Sequence, residues 1–395
     1  MSGPSEAGRR VTWHLLTGEF PPQPGGVSDH TWQVAEGLRR AGCAVHVWAP
    51  GEAREDTGPE GVTVHRLAEG FGVRGLRRLE RELARLPGPR RLLVQYVPHA
   101  FGYRAMNVPF ALWLARRKAE EVWVLFHEAV FPWGWERPWR HNVLGAVTRG
   151  MAALLTARAD RLLVSTPAWG AYLPERLRRV PIEWLPVPSN LPTSPSPAAV
   201  AEARAALSAG PEQVLIGHLG TYQALVAGLL EEVLPGLLAQ EPHRRAILTG
   251  RGSEAFARTL TGRHPELAGR VLALGGQPAE RLAATLRACD MLLQPFSDGL
   301  STRRSSVMAG LGLGLPLVSN VGEATEPLWH GSGALALAPS PTGAALREAA
   351  ESLLSTPERW PGLGRRAADF YATHFSLEHT VAVLLGERPA AEAKP

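Results

Sequence analysis

Residues 291–320 read MLLQPFSDGLSTRRSSVMAGLGLGLPLVSN. An apolar strand (291–296) stops at Ser297, Asp298 and Gly299, and Ser301 and Thr302 then supply a helix cap. The helix of small residues ends near Gly314, Leu315 and Pro316, and the next strand opens at Leu317. Strand, turn, helix and strand in that order form one parallel unit, which places a ligand at the strand's carboxyl end. Arg303 and Arg304 fall in the first turn of this helix, where free N–H groups favour an anion and the helix dipole disfavours a cation. A negatively charged ligand is expected there. The plainer alternative is that one arginine pairs with Asp298 and the other is solvated.

Upstream, the same alternation recurs. Strands are expected at 214–219, 246–249 and 271–274 and helices at 229–240 and 278–289, with Gly250 and Gly252 bounding a turn. Before it, 185–213 is rich in proline and serine and reads as a linker. A first series precedes the linker, with strands at 11–17, 43–49, 62–66, 91–96, 121–126 and 160–164. Its helices are expected at 28–41, 107–118 and 138–158. The fold class expected is therefore α/β, with two Rossmann-like domains whose parallel sheets face across a cleft.

The first strand leads into Gly25 and Gly26, whose N–H groups can approach a phosphate closely. The loop is not G-x-G-x-x-G, which argues against an ordinary dinucleotide fold. Residues 71–91 form a basic amphipathic helix with Arg74, Arg77, Arg78, Arg81 and Arg85 interleaved with leucines, which fits either an anionic lipid surface or an ordinary surface helix. His127 and Glu128 stand at the carboxyl end of the 121–126 strand. Tyr96, His99, Tyr103 and Trp133 lie on loops at the same end, as does Asp29 beside the glycine pair, and these are the acceptor-side candidates.

At 395 residues the chain exceeds one ordinary core. Its net charge of +5 and pI near 9.7 invite anionic partners. Nucleic acid is not expected, because no zinc-finger spacing or RNA-binding aromatic motif occurs. Two cysteines, Cys43 and Cys289, far apart, suggest a reducing compartment. Neither a signal peptide nor a membrane span is expected, so the location expected is cytoplasmic, at most peripheral to the inner membrane face.

The order of FPPQPGGVSDHTWQVAEGLRRAGCAVHVWAP, LFHE, ADRLLVST, VPSNLP and DGLSTRRSSVMAGLGLGLPLVSN resembles the B-type-fold retaining glycosyltransferases of family 4. The resemblance implies a transfer from a nucleotide-diphosphate sugar to an acceptor hydroxyl on a glycan or a lipid-linked precursor. It implies no cofactor, and no D-x-D pair is present to suggest a metal. His127 would lie beside the transferred sugar, with Gly25 and Gly26 facing the donor phosphates. Gly220, Thr221, Gly250, Gly252 and Gln277 would surround the nucleotide, and Ser301 to Arg304 the diphosphate. The domains expected are 1–188, a linker at 189–212, 213–370, and a C-terminal helix in 371–395 that returns to the first domain and ends in disorder.

Two departures stand out. The family usually carries an Arg and a Lys after the first strand of the second domain, where this chain has His218 to Gln223. It also usually carries two glutamates, eight residues apart, at places that hold Ser301 and Ala309. Arg303 and Arg304 are expected to replace the lost cations, since guanidinium grips phosphate in a bidentate way. A binding protein that has lost catalysis and a sugar-phosphate or nucleotide-sugar epimerase are the rival readings.

Overall fold

The computed structural model describes residues 11–52, 58–207, 210, 212–388 and 391–392. The chain divides into two compact units, one made of 1–187 with 377–395 and the other of 188–376. Residues 389–390 and 393–395, where the disordered end is expected, lie outside the described residues.

The first unit is built on β1 (Thr12–Thr17), β2 (Val45–Pro50), β3 (Thr63–Leu67), β4 (Arg90–Tyr96), β5 (Glu121–Phe126), β6 (Arg161–Val164) and β7 (Ile182–Trp184). Seven parallel strands run in the order β3-β2-β1-β4-β5-β6-β7, and Ala391–Glu392 adds an antiparallel edge beside β7. The central strands are apolar along their length because helices cover both faces. Leu15, for instance, pairs with Val47 on one side and Leu93 on the other, and all three are fully buried. One face is covered by the helix Gly26–Arg40, on which the C-terminal helix Leu377–Leu384 packs. A Cβ on Gly37 would stand 2.6 Å from Val381 Cγ2, so glycine permits that close approach.

The helices Val73–Leu83, Val108–Ala115 and Trp139–Arg158 cover the other face. Leu76, Leu79 and Leu83 of the first of these are buried in the core. The apolar stripe of the basic helix is therefore not available to lipid, and the helix is shorter than the expected 71–91, leaving Arg85 beyond its end.

Register brings three histidines side by side on β1, β2 and β3. The ring of His14 stacks on that of His46, His46 Nδ1 lies 2.9 Å from His65 Nε2, and His65 stacks on Trp48 at 3.9 Å between centroids. Trp48 Nε1–H donates to His14 Nδ1 at 3.2 Å. Burial, reinforced by the neighbouring histidines, pushes His14 down to about 3 and His65 to about 4, and burial also lowers His46.

The second unit repeats the plan with β8 (Val214–Leu219), β9 (Arg244–Thr249), β10 (Val271–Ala273), β11 (Met291–Leu293), β12 (Leu317–Asn320) and β13 (Ala336–Ala338), ordered β10-β9-β8-β11-β12-β13. In both sheets the strand order reverses beside the first strand, at β1/β4 and at β8/β11, which is where such folds bind ligands. The segment expected as a linker contains the helix Pro197–Ala206. Ser196 caps it by accepting from the Ala199 N–H, proline occupies the first turn, and Arg204 ties it to the Ala288 and Gln213 carbonyls at 2.8 Å.

Candidate functional site

In the second unit a cavity of about 500 Å³ opens at the carboxyl ends of β8, β9 and β11. Two loops set one wall. Gly250 has a φ of +97°, and a Cβ there would lie 2.1 Å from the Gly220 carbonyl oxygen, so the β8 and β9 loops meet backbone to backbone. Gly252, with a φ of +92°, stands against the Thr221 carbonyl and opens the helix Ser253–Arg263. His218 projects into the cavity wall, and burial pushes its imidazole down to about 3, so it is neutral at physiological pH. Its Nδ1 has no hydrogen-bond partner.

Arg303, Arg304, Ser305 and Ser306 line the opposite wall. The helix begins at Ser305, two to three residues later than the Ser301–Thr302 cap implies, and Arg304 occupies its N-cap without a capping side chain. Thr302 is buried because Glu326 claims it. Thr302 Oγ1 donates to Glu326 Oε1 at 2.7 Å, and the Thr302 N–H donates to the same carboxylate at 3.1 Å. Ser301 is buried beside it, so neither residue faces the cavity. Both arginines converge on Asp298, with Arg304 in direct contact and Arg303 Nη2 at 3.8 Å from Oδ2. The Arg304 guanidinium lies over the Phe296 ring at 4.4 Å, which fixes its plane, while its Nε–H is buried without a partner. Burial, above all, lowers its pKa despite the carboxylate.

Sequence reasoning missed three contributors to this cavity. Arg251 adds a third cation, and Ser305 and Ser306 supply hydroxyls at the helix start. Gln294, in the amide orientation that satisfies both ends, bridges Leu219 and Ser306 Oγ. Gln277 belongs elsewhere: it accepts from Thr285 Oγ1 at 3.1 Å and lines a separate cavity of about 580 Å³.

In the first unit the β1, β4 and β5 ends carry a second cluster. The half-buried His127 ring lies 2.7 Å from Gln95 Oε1 through Nε2, which makes Nε2 the protonated nitrogen and leaves Nδ1 as an acceptor. Burial and the edge-on ring of His30, 4.9 Å away, hold the His127 imidazolium well below its usual pKa. Glu128 does not orient His127. It lies 3.5 Å from His99 Nδ1, whose other nitrogen is 3.7 Å from Glu19. Gly25 makes room for that second carboxylate, since a Cβ would sit 2.4 Å from Glu19 Oε2, whereas Gly26 opens onto space.

Asp29 is half-buried in the first turn of the helix, its N–H donating to the Gly25 carbonyl. Tyr103 and Trp133 are exposed, and Arg149 stacks on Trp133 at 4.2 Å. Tyr96 is not on a loop. It ends β4, fully buried between Phe101 and Phe126.

Among the described residues no group of three or more His, Cys, Asp or Glu is arranged to hold a metal ion. No helix of the described residues is long and apolar enough to cross a membrane.

Residues 25–188 match the family described as glycosyl transferase 4-like domain. A search of curated proteins finds no match. Solved structures with the same architecture include Anabaena HepE in complex with UDP and glucose, at 16% identity and a TM-score of 0.64 over 95% of this chain and 99% of that one. A sucrose-phosphate synthase from Thermosynechococcus elongatus aligns at 18% identity and a TM-score of 0.66, covering 96% and 98% of the two chains. A glycosyltransferase from Rickettsia africae aligns at 11% identity and a TM-score of 0.69, covering 96% and 97%. The chain therefore has the B-type glycosyltransferase fold, and the match to the glycosyl transferase 4-like domain lies in its first unit.

Proposed function

We propose that this protein is a retaining, metal-independent glycosyltransferase that moves a sugar from a nucleotide-diphosphate donor to an acceptor hydroxyl. The observation that carries this reading is the second unit's cavity. At the strand-order reversal it combines a helix N-terminus, two hydroxyls and three guanidinium groups. Charge on a departing diphosphate is stabilised by preorganised donors of this kind without a divalent ion. Arg303, Arg304, Ser305 and Ser306 hold the diphosphate, while Gly220, Thr221, Gly250 and Arg251 line the nucleotide's path. Gly252 shapes that path by starting its helix. HepE, bound to UDP, has the same fold, which supports a nucleoside diphosphate as the ligand class.

His127 accepts a hydrogen bond from a hydroxyl of the transferred sugar at its free Nδ1, a role that suits an imidazole kept neutral. Gly26 presents the open start of its helix to the donor phosphates, and Gly25 shapes that turn around Glu19. Asp29, His99, Glu128, Tyr103 and Trp133 form the acceptor side, for a glycan or lipid-linked acceptor in carbohydrate synthesis. Cys43 and Cys289 are buried and form no disulfide among the described residues, which fits a cytoplasmic setting.

Titration calorimetry with UDP, GDP, ADP and inorganic diphosphate tests the donor reading. Binding of at least one nucleoside diphosphate, weakened by Arg304→Ala, is expected, and no heat with any of them overturns it. A second reading, a fold that binds without transferring, draws on Asp298, which already neutralises part of the arginine pair. It predicts nucleoside diphosphate binding with no sugar transfer or hydrolysis from any nucleotide sugar.

A further inference from the structure

Among the described residues, every large apolar side chain that is exposed, except Leu225, belongs to the first unit. Within that unit the most exposed are tryptophans of one short segment, FPWGWERPWRHNV at 131–143. Trp135 is 104% exposed, Trp139 70% and Trp133 55%. Tryptophan is seldom left in water in this way, because each ring removes a large apolar area from solvent when covered.

The three helices on this side of the sheet form one row. Val73–Leu83 packs on Val108–Ala115, which packs on Trp139–Arg158. Each turns a helical stripe outward. Trp139 and Val143 stand four residues apart on the third, and Val108 and Leu112 four apart on the second. On the first, the outward stripe is Arg74, Arg77 and Arg81. Among the described residues these three arginines make no ion pair, while the helix's own carboxylates are engaged, Glu82 by Arg78 at 2.7 Å and Glu80 by Arg117 at 2.5 Å. Arg137 and Arg140 flank the tryptophans, against the single acid Glu136.

We propose that this helical row is a docking surface for an anionic phospholipid bilayer, with Trp135 and Trp139 seated at the headgroup level and the arginine stripe on lipid phosphates. Indole rings prefer the polar–apolar boundary of a bilayer, and guanidinium groups on an adjoining ridge attract an anionic leaflet within a Debye length. Aliphatic Val108, Leu112 and Val143 between these groups favour lipid over a sugar face. The attachment is peripheral, in keeping with the absence of a spanning helix among the described residues.

The test uses the full chain and sedimentation with vesicles of phosphatidylcholine, either pure or with about one third phosphatidylglycerol. Binding to the anionic vesicles is expected, weakened by salt and accompanied by a blue shift of tryptophan emission. Trp135→Ser with Trp139→Ser, and separately Arg74→Gln with Arg77→Gln and Arg81→Gln, should each reduce it about tenfold or more with circular dichroism unchanged. No sedimentation, equal binding to neutral vesicles, or indifference to both sets of substitutions overturns the proposal. So does a shift of tryptophan emission by a soluble oligosaccharide with none by vesicles. No donor is present in these measurements, so their outcome is independent of the donor reading.

Discussion

The two sheets share one strand order, and at the point where that order reverses each carries different chemistry. The first unit presents a neutral imidazole, His127, held by the Gln95 amide, with His99 set between the carboxylates of Glu19 and Glu128. The second presents guanidinium groups, a helix N-terminus and hydroxyls around a cavity. Topology decides where a ligand goes, and residue type decides which charge it carries. A diphosphate fits the second site. On the proposed reading, the neutral His127 of the first site meets a sugar hydroxyl.

The largest expected effect comes from acid. Five imidazoles in the first unit, those of His14, His30, His46, His65 and His127, have lowered pKa values, against His218 and His374 in the second. Each is neutral when folded and takes up its proton near pH 6.5 when unfolded. Their contribution is therefore complete above about pH 6.5 and is lost as pH falls toward the folded values of about 3 to 4. Urea unfolding should show at least ~3 kcal/mol less stability at pH 5 than at pH 7. Hydrogen exchange should find the first unit opening before the second. Equal protection of both units across that range breaks the comparison.

Arg304→Ala should lower kcat/KM by about 100-fold and Arg303→Ala by about tenfold, since the half-buried, ring-stacked group is the better organised donor. Unchanged kinetics in both variants would leave the arginines as mere partners of Asp298. His127→Ala sharpens the contrast from the other side, with kcat down about thirtyfold while calorimetric affinity for the nucleoside diphosphate stays the same. Should both fall together, the division of labour between the units is wrong. The smallest effect is expected for Asp298→Asn, which releases Arg303 and Arg304 from a carboxylate and should tighten diphosphate binding about threefold. Weaker binding in that variant would mean that Asp298 positions the pair.

Much of the fold was legible because it is local. Apolar runs such as LLVQY, WVLF and LLV bounded by turn residues announce buried parallel strands, and the two series stand in order along the chain. What was misread depended on distant partners. The Ser301–Thr302 pair looks like a helix cap until Glu326, 24 residues away, claims Thr302. Tyr96 looks like the start of a loop until Phe101 and Phe126 enclose it. The helix Pro197–Ala206 was hidden by the density of prolines around it, although Ser196 and Pro197 are a legible start signal. The histidine row of β1, β2 and β3 could not be seen at all, because it exists only in the register of three strands. Arg303 and Arg304 could be placed beside the cavity from their position before a helix alone, whereas Arg251, Ser305 and Ser306 needed the loops to close around it.

The helix Leu377–Leu384 belongs to the first unit's core, where Val381, Val383 and Leu384 share a cluster with Val34 and Leu38. A ribosome must therefore finish the whole second unit before the first can bury its last apolar surface. A nascent or prematurely stopped chain ending near Ser376 would carry its defect at the opposite end of the sequence from the break. It would expose the helix Gly26–Arg40 to chaperones and proteases while the second unit's residues were already all present.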